Sequence, residues 1–411
     1  MKDSKSSLPS TATQKHTHPI AKKIASALLV ASVGLSSIAS AQALNVKTYN
    51  PGEKAIFPVS SSLIYGSKDA ILVDAQFQKQ YAKQVIDMVK ESGKNLKYVF
   101  ISHNDPDYYF GLDEIKKAFP NAQVISTAQT AYLIDSSKDA KRVVWKDKLG
   151  KDAPEELFTP TAYTATKIEI DGEEIDIRQD KSTGAHAYLW IPSLKTILGG
   201  VSVSEGGHLW MADSQSVQDI DHWISILSDM QALKPASVIP GHYIHNSTDP
   251  KILAFTKHYL EDYKKALINT KSSSGIITAM EKNYPKLPGK DSLEFSAKVS
   301  TGEIPWQVAS AYPPIGKTAQ VNFDGTIFNL HFKDNKTMSL EGTAGTFNGI
   351  SDSVEYTAIE ISKNIFMVYW HEPAVGANVV HVQDWNLGSV YTNISGKDGS
   401  FTHLKGTIKI K

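Results

Sequence analysis

Three side chains that can bind a metal ion stand at alternate positions directly behind an apolar run. The run at 98–102 is typical of a buried strand, and His103, Asp105 and Asp107 follow it. Residues that follow a strand lie at the edge of its sheet, where they can reach an ion or a ligand. Imidazole nitrogens and carboxylate oxygens are ligands that divalent cations take. The stretch therefore predicts a metal site at a sheet edge.

The composition is that of an ordinary globular protein. The chain has 411 residues, of which 41% are hydrophobic and 21% charged. This length exceeds the usual single domain, so two domains are expected. The chain contains no cysteine, so a metal would rest on nitrogen and oxygen ligands. No basic cluster rich in aromatic residues occurs, so we expect no nucleic-acid partner.

The N-terminus has the order of parts of a secretory signal. Lys22 and Lys23 end a basic leader, an apolar run follows at 24–38, and Ala-x-Ala sequences stand at 39–41 and 41–43. The run is too short to span a bilayer and no later segment is suited to do so, so no membrane span is expected. These features predict a signal peptide at 1–43 and a periplasmic protein. An uncleaved amphipathic leader is the alternative.

Between residues 44 and 306, strand-like and helix-like spacings of apolar residues alternate. Strands are predicted at 70–74, 98–101, 124–125 and 238–239, and helices at 81–89, 111–119 and 217–233. This alternation is typical of a core in which apolar strands are covered by helices. The region 44–306 is therefore predicted to form the first domain.

After Trp306 the character of the chain changes. Roughly eight strand-like runs follow, separated by turn signals such as Asp324-Gly325. No segment with helical spacing interrupts them. Short antiparallel strands of this kind close into a small barrel, because closure removes the exposed edges. The second domain is predicted at 315–411, with residues 311–314 as the connector.

The first region resembles the metallo-β-lactamase superfamily, whose motif H-x-H-x-D-H follows a strand. Its landmarks occur in the expected order: Asp74 after an early strand, the motif at 103–108, Gly199-Gly200, and Pro240-Gly241-His242. The resemblance covers most of residues 45–306 and implies an αββα sandwich. The expected fold class is therefore α+β, an αββα sandwich followed by a small antiparallel β-barrel.

The motif departs from the family pattern at several positions. Asp105 and Tyr108 replace two of its histidines, and Val201 stands where an Asp would bridge two ions. Lys181 stands where the third His is expected, with Asp180 one position away. Tyrosine is a poor ligand for Zn²⁺ at neutral pH because its hydroxyl pKa lies near ~10. A full two-metal centre is therefore not expected.

The resemblance implies that the remaining residues hold one ion. His103, Asp105 and His242 would form a set of two imidazoles and one carboxylate, with Asp107 as a further ligand or as the general base. The ion would be Zn, Fe or Mn, and it would lower the pKa of its bound water. The open alternative is no metal at all. If the Lys181 ammonium points into the site, it would repel a dication and neutralise the carboxylates.

Further residues are predicted to contact a substrate. Tyr108 is expected in a wall beside the metal position, and a glycine-rich loop presents His208 and Trp210. His186 falls where a His often lies near the pocket in this family, although it could equally cap a strand. The histidines of the second domain show no ligand-like spacing and are expected to be ordinary half-buried residues.

The second region resembles the MoaF-like barrels of the lipocalin type. The resemblance rests on residues 321–325, 368–372, 382–385 and 406–408. It implies a small barrel that could enclose an apolar ligand. A cap or docking module for the first domain is the alternative.

The sequence thus predicts a periplasmic hydrolase of a small molecule that uses a reduced, mononuclear metal site. Hydrolysis of antibiotics is not expected, because the ligands are altered and a barrel is added. The alternative is a periplasmic small-molecule binding module on a catalytically inactive scaffold.

Overall fold

Short apolar strands build the first of two β-sheets. The computed structural model describes residues 43–181, 183–245 and 247–411. The first sheet has six strands that pair in chain order: β1 (Asn45–Tyr49), β2 (Ser61–Tyr65), β3 (Asp69–Val73), β4 (Asn95–Ile101), β5 (Gln123–Ser126) and β6 (Thr161–Ala162). Strands β1 to β3 pair antiparallel, whereas β3 to β6 pair parallel.

The later strands of the sandwich form a second sheet and a separate two-stranded pair. These strands are β7 (Lys167–Ile170), β8 (Glu173–Gln179), β9 (Ala187–Ile191), β10 (Thr196–Leu198), β11 (Ser204–Glu205), β12 (Ser237–Ile239) and β13 (His242–Tyr243). Five of them pair in the order β12-β10-β9-β8-β7, and β11 and β13 form a separate parallel pair. The contact between β10 and β12 is parallel, so both strands end at the same edge.

Eight helices accompany the strands in the described part of the chain. They are α1 (Lys79–Glu91), α2 (Pro106–Tyr109), α3 (Leu112–Ala118), α4 (Ala128–Leu149), α5 (Val217–Ala232), α6 (Lys251–Thr270), α7 (Ser273–Asn283) and α8 (Lys290–Ser300). None of the described helices combines the length and the apolar character that crossing a membrane requires.

The alternation of side chains along the strands explains how these layers stack. On β3, Ile71 and Val73 belong to a cluster shared by both sheets, whereas Leu72 belongs to a cluster shared with α1 and α3. Helices α5 to α8 form a third cluster with the second sheet, to which Trp190 and Ile197 contribute. Because successive residues of a strand point to opposite faces, each sheet packs on the other sheet and on helices. The predicted αββα sandwich is confirmed.

The predicted elements of the sandwich correspond to β3, β4, β5, β12, α1, α3 and α5. The helices α4 and α6 to α8 are not among the elements that the apolar spacing predicted. The predicted signal peptide at 1–43 lies outside the described residues except for its last position. Ser182, which follows Lys181, also lies outside them.

The C-terminal region is a closed antiparallel barrel of eight strands, as predicted. The strands are β14 (Thr318–Phe323), β15 (Thr326–Phe332), β16 (Thr337–Ala344), β17 (Ser351–Ser362), β18 (Ile365–Glu372), β19 (Ala377–Asp384), β20 (Ser389–Ser395) and β21 (Phe401–Ile410). They pair in chain order, and β14 closes the barrel against β21. Apolar side chains such as Val321 and Phe366 fill the core.

The connector between sandwich and barrel is anchored on both sides. Tyr312 is buried within the core of the barrel, and its backbone N–H donates to Oε1 of Gln129 at 3.2 Å. The amide of Gln129 donates in turn to the carbonyl of Tyr312 at 2.6 Å. Since residues 41–411 pack as one compact unit, the division into domains at 44–306 and 315–411 stays a prediction.

Candidate functional site

A buried carboxylate ties together the strand ends that carry the site. Asp74 directly follows β3 with a left-handed backbone (φ 64°), and it accepts hydrogen bonds from the N–H (2.8 Å) and the Oγ (2.7 Å) of Ser102. The N–H of Gly200, behind β10, donates to the same Oγ at 2.7 Å. Burial raises the pKa of Asp74 to about 7, although the bonds from Ser102 oppose this shift. Asp74 therefore has the structural role that the resemblance implied.

The first half of the motif forms one His–Asp pair. Nε2 of His103 lies 3.2 Å from Oδ2 of Asp105. The other oxygen of Asp105 lies 3.3 Å from Nζ of Lys141, which also donates to the carbonyl of Asn104 at 2.6 Å. Burial alone would raise the pKa of Asp105, but the Lys141 ammonium and His103 outweigh it and hold this pKa well below its usual range.

The second half forms another His–Asp pair. Nε2 of His242 lies 2.7 Å from Oδ2 of Asp107, and Nδ1 of His242 lies 3.3 Å from the hydroxyl of Tyr108. The ring of Tyr108 packs edge-on against both His103 (5.4 Å between centroids) and His242 (5.5 Å). Burial, with Asp107 adding to it, raises the pKa of Tyr108 well above its usual range. Tyr108 is fully buried and packs between the two pairs, so its contact with a substrate stays a prediction.

Glycine is required where the last landmark approaches the motif. A Cβ on Gly241 would lie 2.1 Å from the carbonyl oxygen of Gly200 and 2.6 Å from the hydroxyl of Tyr108. No side chain fits into that space, so Gly241 is needed to bring His242 beside the motif.

The amine that approaches the carboxylates is not the one that the sequence suggested. Lys181 is 82% exposed and pairs with Asp229 on α5 at 2.9 Å. Lys141, on α4, supplies the ammonium at Asp105 instead. Sequence reasoning misses Lys141, because the apolar spacing does not indicate α4 and Lys141 lies 36 positions from Asp105 in the chain.

His186 lies beside the first pair. Its ring stacks on that of His103 with 5.7 Å between centroids. Burial lowers the pKa of His186 to about 4, and the neighbouring His103 adds to this shift. Nδ1 of His186 and Nδ1 of His103 are both buried without a hydrogen-bond partner among the described residues. His186 therefore lies near the pocket, which is one of the two alternatives left open.

The donors as arranged do not fit a resident metal ion. Each imidazole Nε2 already contacts a carboxylate, and Asp105 is in contact with an ammonium. Each pair offers two donors, fewer than the three protein ligands typical of catalytic zinc. Among the described residues, no three His, Asp or Glu side chains form a group that could hold a metal. The orphaned Nδ1 of His103 is a single atom and does not make a ligand set.

The two pairs line a cleft of about 2390 Å³ that also reaches the barrel. Its lining includes the donors of both pairs, Lys141, His186, the indoles of Trp210 and Trp306, and Ile359 and Tyr369 of the barrel. Such a volume exceeds the roughly 300–1,000 Å³ of a typical small-molecule site. The cleft can therefore hold a ligand of moderate size together with water.

An aromatic wall in this cleft is braced by Asp213. One carboxylate oxygen accepts from the indole N–H of Trp210 at 2.8 Å, and the other accepts from that of Trp306 at 2.7 Å. Trp210 also stacks on Phe295 with 5.1 Å between centroids. Burial raises the pKa of Asp213, and the charge of Asp105 adds to the shift, while the two indole bonds oppose it. We call Trp210, Trp306 and Phe295 the aromatic wall.

The other predicted contact residue, His208, is turned toward the protein. Its Nδ1 lies 2.8 Å from the hydroxyl of Tyr259, and the residue is buried although it lines the cleft. Burial lowers its pKa. The structure thus brings Trp210 to the cleft surface and keeps His208 in the packing. Asp213 and Trp306 were missed, because their contact joins residues 93 positions apart.

Comparison with known proteins agrees with this architecture. The family model of the metallo-beta-lactamase superfamily matches residues 56–242. Residues 56–242 are therefore similar to the metallo-beta-lactamase superfamily. A second family model, MoaF-like, matches residues 315–409, which include the barrel. The superfamily fold of the first region is consistent with a metal-dependent, hydrolase-like function.

Individual relatives cover only parts of the chain. The uncharacterized protein YobT of Bacillus subtilis (strain 168) is 27% identical over 154 residues, which are 37% of this chain and 66% of that protein. The metallo-beta-lactamase from Pontibacter korlensis is 18% identical, with 53% of this chain and 93% of that chain covered and a TM-score of 0.37. The metallo-beta-lactamase FIM-1 from Pseudomonas aeruginosa, solved in a mono-zinc form, is 14% identical, with 54% and 91% covered and a TM-score of 0.39. Similarity at this level gives no information about activity.

Proposed function

We propose that this protein binds a small molecule in the cleft that joins the superfamily domain to the barrel. The observation that carries the proposal is the aromatic wall, fixed by the half-buried carboxylate of Asp213 and placed in the same cleft as the two His–Asp pairs. The protein would then be a small-molecule binding module on a catalytically inactive scaffold, which is the alternative that the sequence analysis left open.

The brace on the aromatic wall supports a ligand-binding role. Both oxygens of Asp213 are used by indole N–H groups, so the polar edges of Trp210 and Trp306 are satisfied within the protein. A ligand can therefore contact the apolar ring faces of the two indoles. Trp210 is 38% exposed and Trp306 is 37% exposed. Rigid, exposed aromatic surface in a concave site favours stacking with a planar or apolar ring.

The polar part of the cleft supports an amphipathic ligand. Asp105 of the first His–Asp pair and Asp213 of the brace line the same cleft. A few polar groups beside apolar surface fix the orientation of a ligand in typical small-molecule sites. The ligand class that fits best is a ring system that carries a polar substituent.

Anilinonaphthalene sulfonate is a suitable probe, because it joins a planar apolar system to a polar group. Titration of the full chain, followed by probe fluorescence, should show saturable binding. The double variant W210A/W306A should weaken it about tenfold, which corresponds to about 1.4 kcal/mol. The matched control is F401A, which removes an exposed aromatic residue of the barrel outside the cleft. Equal affinities in the double variant and the wild type would contradict the proposal.

Hydrolysis of a small molecule is the second candidate function. It is favoured by the position of His103, Asp105, Asp107 and His242, since all four line one cleft in a superfamily domain. Turnover of p-nitrophenyl butyrate by the purified chain, with and without added zinc, tests this candidate. Turnover that D107N abolishes and the surface variant D87N retains would make the protein an enzyme. Equal rates in wild type and D107N would argue against it.

The periplasm is the proposed place of action. The proposal rests on the order of basic leader, apolar run and Ala-x-Ala sequences at 1–43. N-terminal sequencing of the chain recovered from a periplasmic extract should show a start at residue 42 or 44. A chain that retains its leader and stays in the cytoplasmic fraction would contradict this assignment.

A further inference from the structure

We propose that the ammonium group of Lys141 is the resident cation of the His–Asp site, in place of a metal ion. The proposal follows from the disagreement between the superfamily fold and the donor arrangement. It does not depend on which ligand enters the cleft.

The contacts of Lys141 show that its ammonium is held by the motif itself. Nζ lies 2.6 Å from the carbonyl oxygen of Asn104 and 3.3 Å from Oδ1 of Asp105. Both acceptors belong to the loop that carries the candidate metal ligands. Because Oδ2 of Asp105 contacts His103, both oxygens of this carboxylate are in use. A metal ion bound at Asp105 would have to share this carboxylate with Lys141 and His103.

Neighbouring charges on α4 behave differently from Lys141. Lys138 pairs with Asp135, three positions away on the same helix. The carboxylate partner of Arg142 is Asp139 of the same helix, at 3.7 Å, although the guanidinium also donates to the carbonyl of Glu155 at 3.4 Å. Lys141 instead contacts residues 36 and 37 positions away. Its pairing therefore arises from the tertiary structure rather than from the local spacing of charges on the helix.

The position of α4 determines where this ammonium lies. The first turns of the helix are buried, and Tyr132 and Leu133 pack into the core of the barrel. Tyr132 lies 5.9 Å from Tyr312 between ring centroids. The barrel thus fixes the helix that carries Lys141. Helix α4 thus connects the barrel, through Tyr132 and Leu133, to the altered motif, through Lys141.

Electrostatics explains why an ammonium and a metal ion exclude each other here. A fixed positive charge 3.3 Å from Oδ1 of Asp105 repels a divalent cation at the same carboxylate. The ammonium also neutralises the half-buried carboxylate of Asp105. The charge of the first His–Asp pair is therefore balanced without a bound ion.

Zinc titration of the full chain tests this proposal. Zn²⁺ binding is measured by competition with a chromogenic chelator for the wild type, K141M and K138M. Removal of the Lys141 charge should tighten zinc binding about tenfold or more. K138M removes a charge of the same helix that is paired locally, and it should match the wild type. The gain should disappear in K141M/H103A.

Two results would overturn the proposal. One is wild-type protein that carries about one equivalent of zinc and loses it in D105N, since a specific site fills near stoichiometry. The other is equal zinc affinity in the wild type and K141M. If K141M does not fold, K141Q replaces it, because its amide can still donate to the carbonyl of Asn104 while the charge is gone. None of these outcomes depends on probe binding in the cleft, so failure of the proposed function is distinguishable.

Discussion

The hydroxyl of Tyr312 donates a hydrogen bond of 2.8 Å to Oε1 of Gln383 in the interior of the barrel. Tyr312 belongs to the connector, whereas Gln383 belongs to β19. The ring of Tyr312 also lies 4.9 Å from Phe366 and 5.5 Å from Phe332 between centroids. The connector thus supplies part of the core of the barrel. The Tyr312 ring therefore occupies part of the barrel interior, where a lipocalin-type barrel could hold an apolar ligand.

Substitution of Tyr312 should separate packing from hydrogen bonding. Y312F leaves Oε1 of buried Gln383 without its donor and should lower the unfolding free energy by about 1–3 kcal/mol. Y312A also leaves a cavity and should cost about 3–5 kcal/mol. Urea unfolding followed by tryptophan fluorescence measures both changes. Y391F, which alters an exposed tyrosine of the same barrel, should change stability by less than about 0.5 kcal/mol. A loss in Y312A no larger than in Y312F would contradict this role in the core.

Replacement of Asp213 by Asn should loosen the aromatic wall. The amide keeps one acceptor oxygen and places an NH₂ group against the other indole N–H, so Trp210 or Trp306 loses its partner. We expect a shift in tryptophan emission and a weakening of anilinonaphthalene sulfonate binding by about threefold to tenfold. D87N changes an exposed carboxylate of α1 and should leave both readouts unchanged. Unaltered emission in D213N would show that the indoles do not depend on this carboxylate.

Removal of the Ser102 hydroxyl should destabilise the sandwich. In S102A, buried Asp74 loses one donor and the N–H of Gly200 loses its acceptor. Hydrogen bonds to charged groups contribute about 1.5–3 kcal/mol, so a loss of about that size in the unfolding free energy is expected. Urea unfolding of S102A and of S353A, an exposed serine on β17, gives the comparison. Equal stabilities in the two variants would refute the importance of this brace.

The fold was predictable where apolar spacing and turn signals coincide. The apolar run at 98–101 forms the second half of β4, and the turn at Asp324-Gly325 separates β14 from β15, both as expected. Helix α4 was missed for a physical reason. Its buried residues, Tyr132 and Leu133 among them, cluster in the first turns, whereas Val143 is exposed. A helix that is covered over only part of its length has no continuous apolar stripe to read.

The candidate site was predictable only in part. His103, Asp105, Asp107 and His242 were found because they occupy the landmarks of a known motif, and the structure places all four at one cleft. The contact of Asp105 with Lys141 was not predictable, because Lys141 lies on a helix that the apolar spacing does not reveal. Contacts that join distant segments require the tertiary structure.

The buried His381 of the barrel predicts a specific dependence of stability on pH. Its ring is in contact with Trp370 (4.6 Å between centroids) and Phe323, and burial lowers its pKa to about 3. In the unfolded chain a histidine takes up its proton near pH ~6.5. Between these values the unfolded chain binds more protons than the folded one, so acid favours unfolding. This residue should therefore lower the unfolding free energy by up to about 1.4 kcal/mol per pH unit below pH ~6.5, and contribute no slope above it.

Thermal or urea unfolding between pH 7 and pH 4 checks this dependence in the wild type and in H381Q. Glutamine does not titrate, so the stability of H381Q should fall less steeply as the pH falls, whereas the carboxylates contribute the same slope to both proteins. H403Q alters an exposed histidine of the same barrel and should keep the steeper wild-type slope. Parallel curves for the wild type and H381Q would mean that His381 already takes up its proton in the folded barrel. Such a proton would need a partner, and Gln383, whose Nε2 lies 3.4 Å from Nδ1 of His381, would have to turn its oxygen toward the ring.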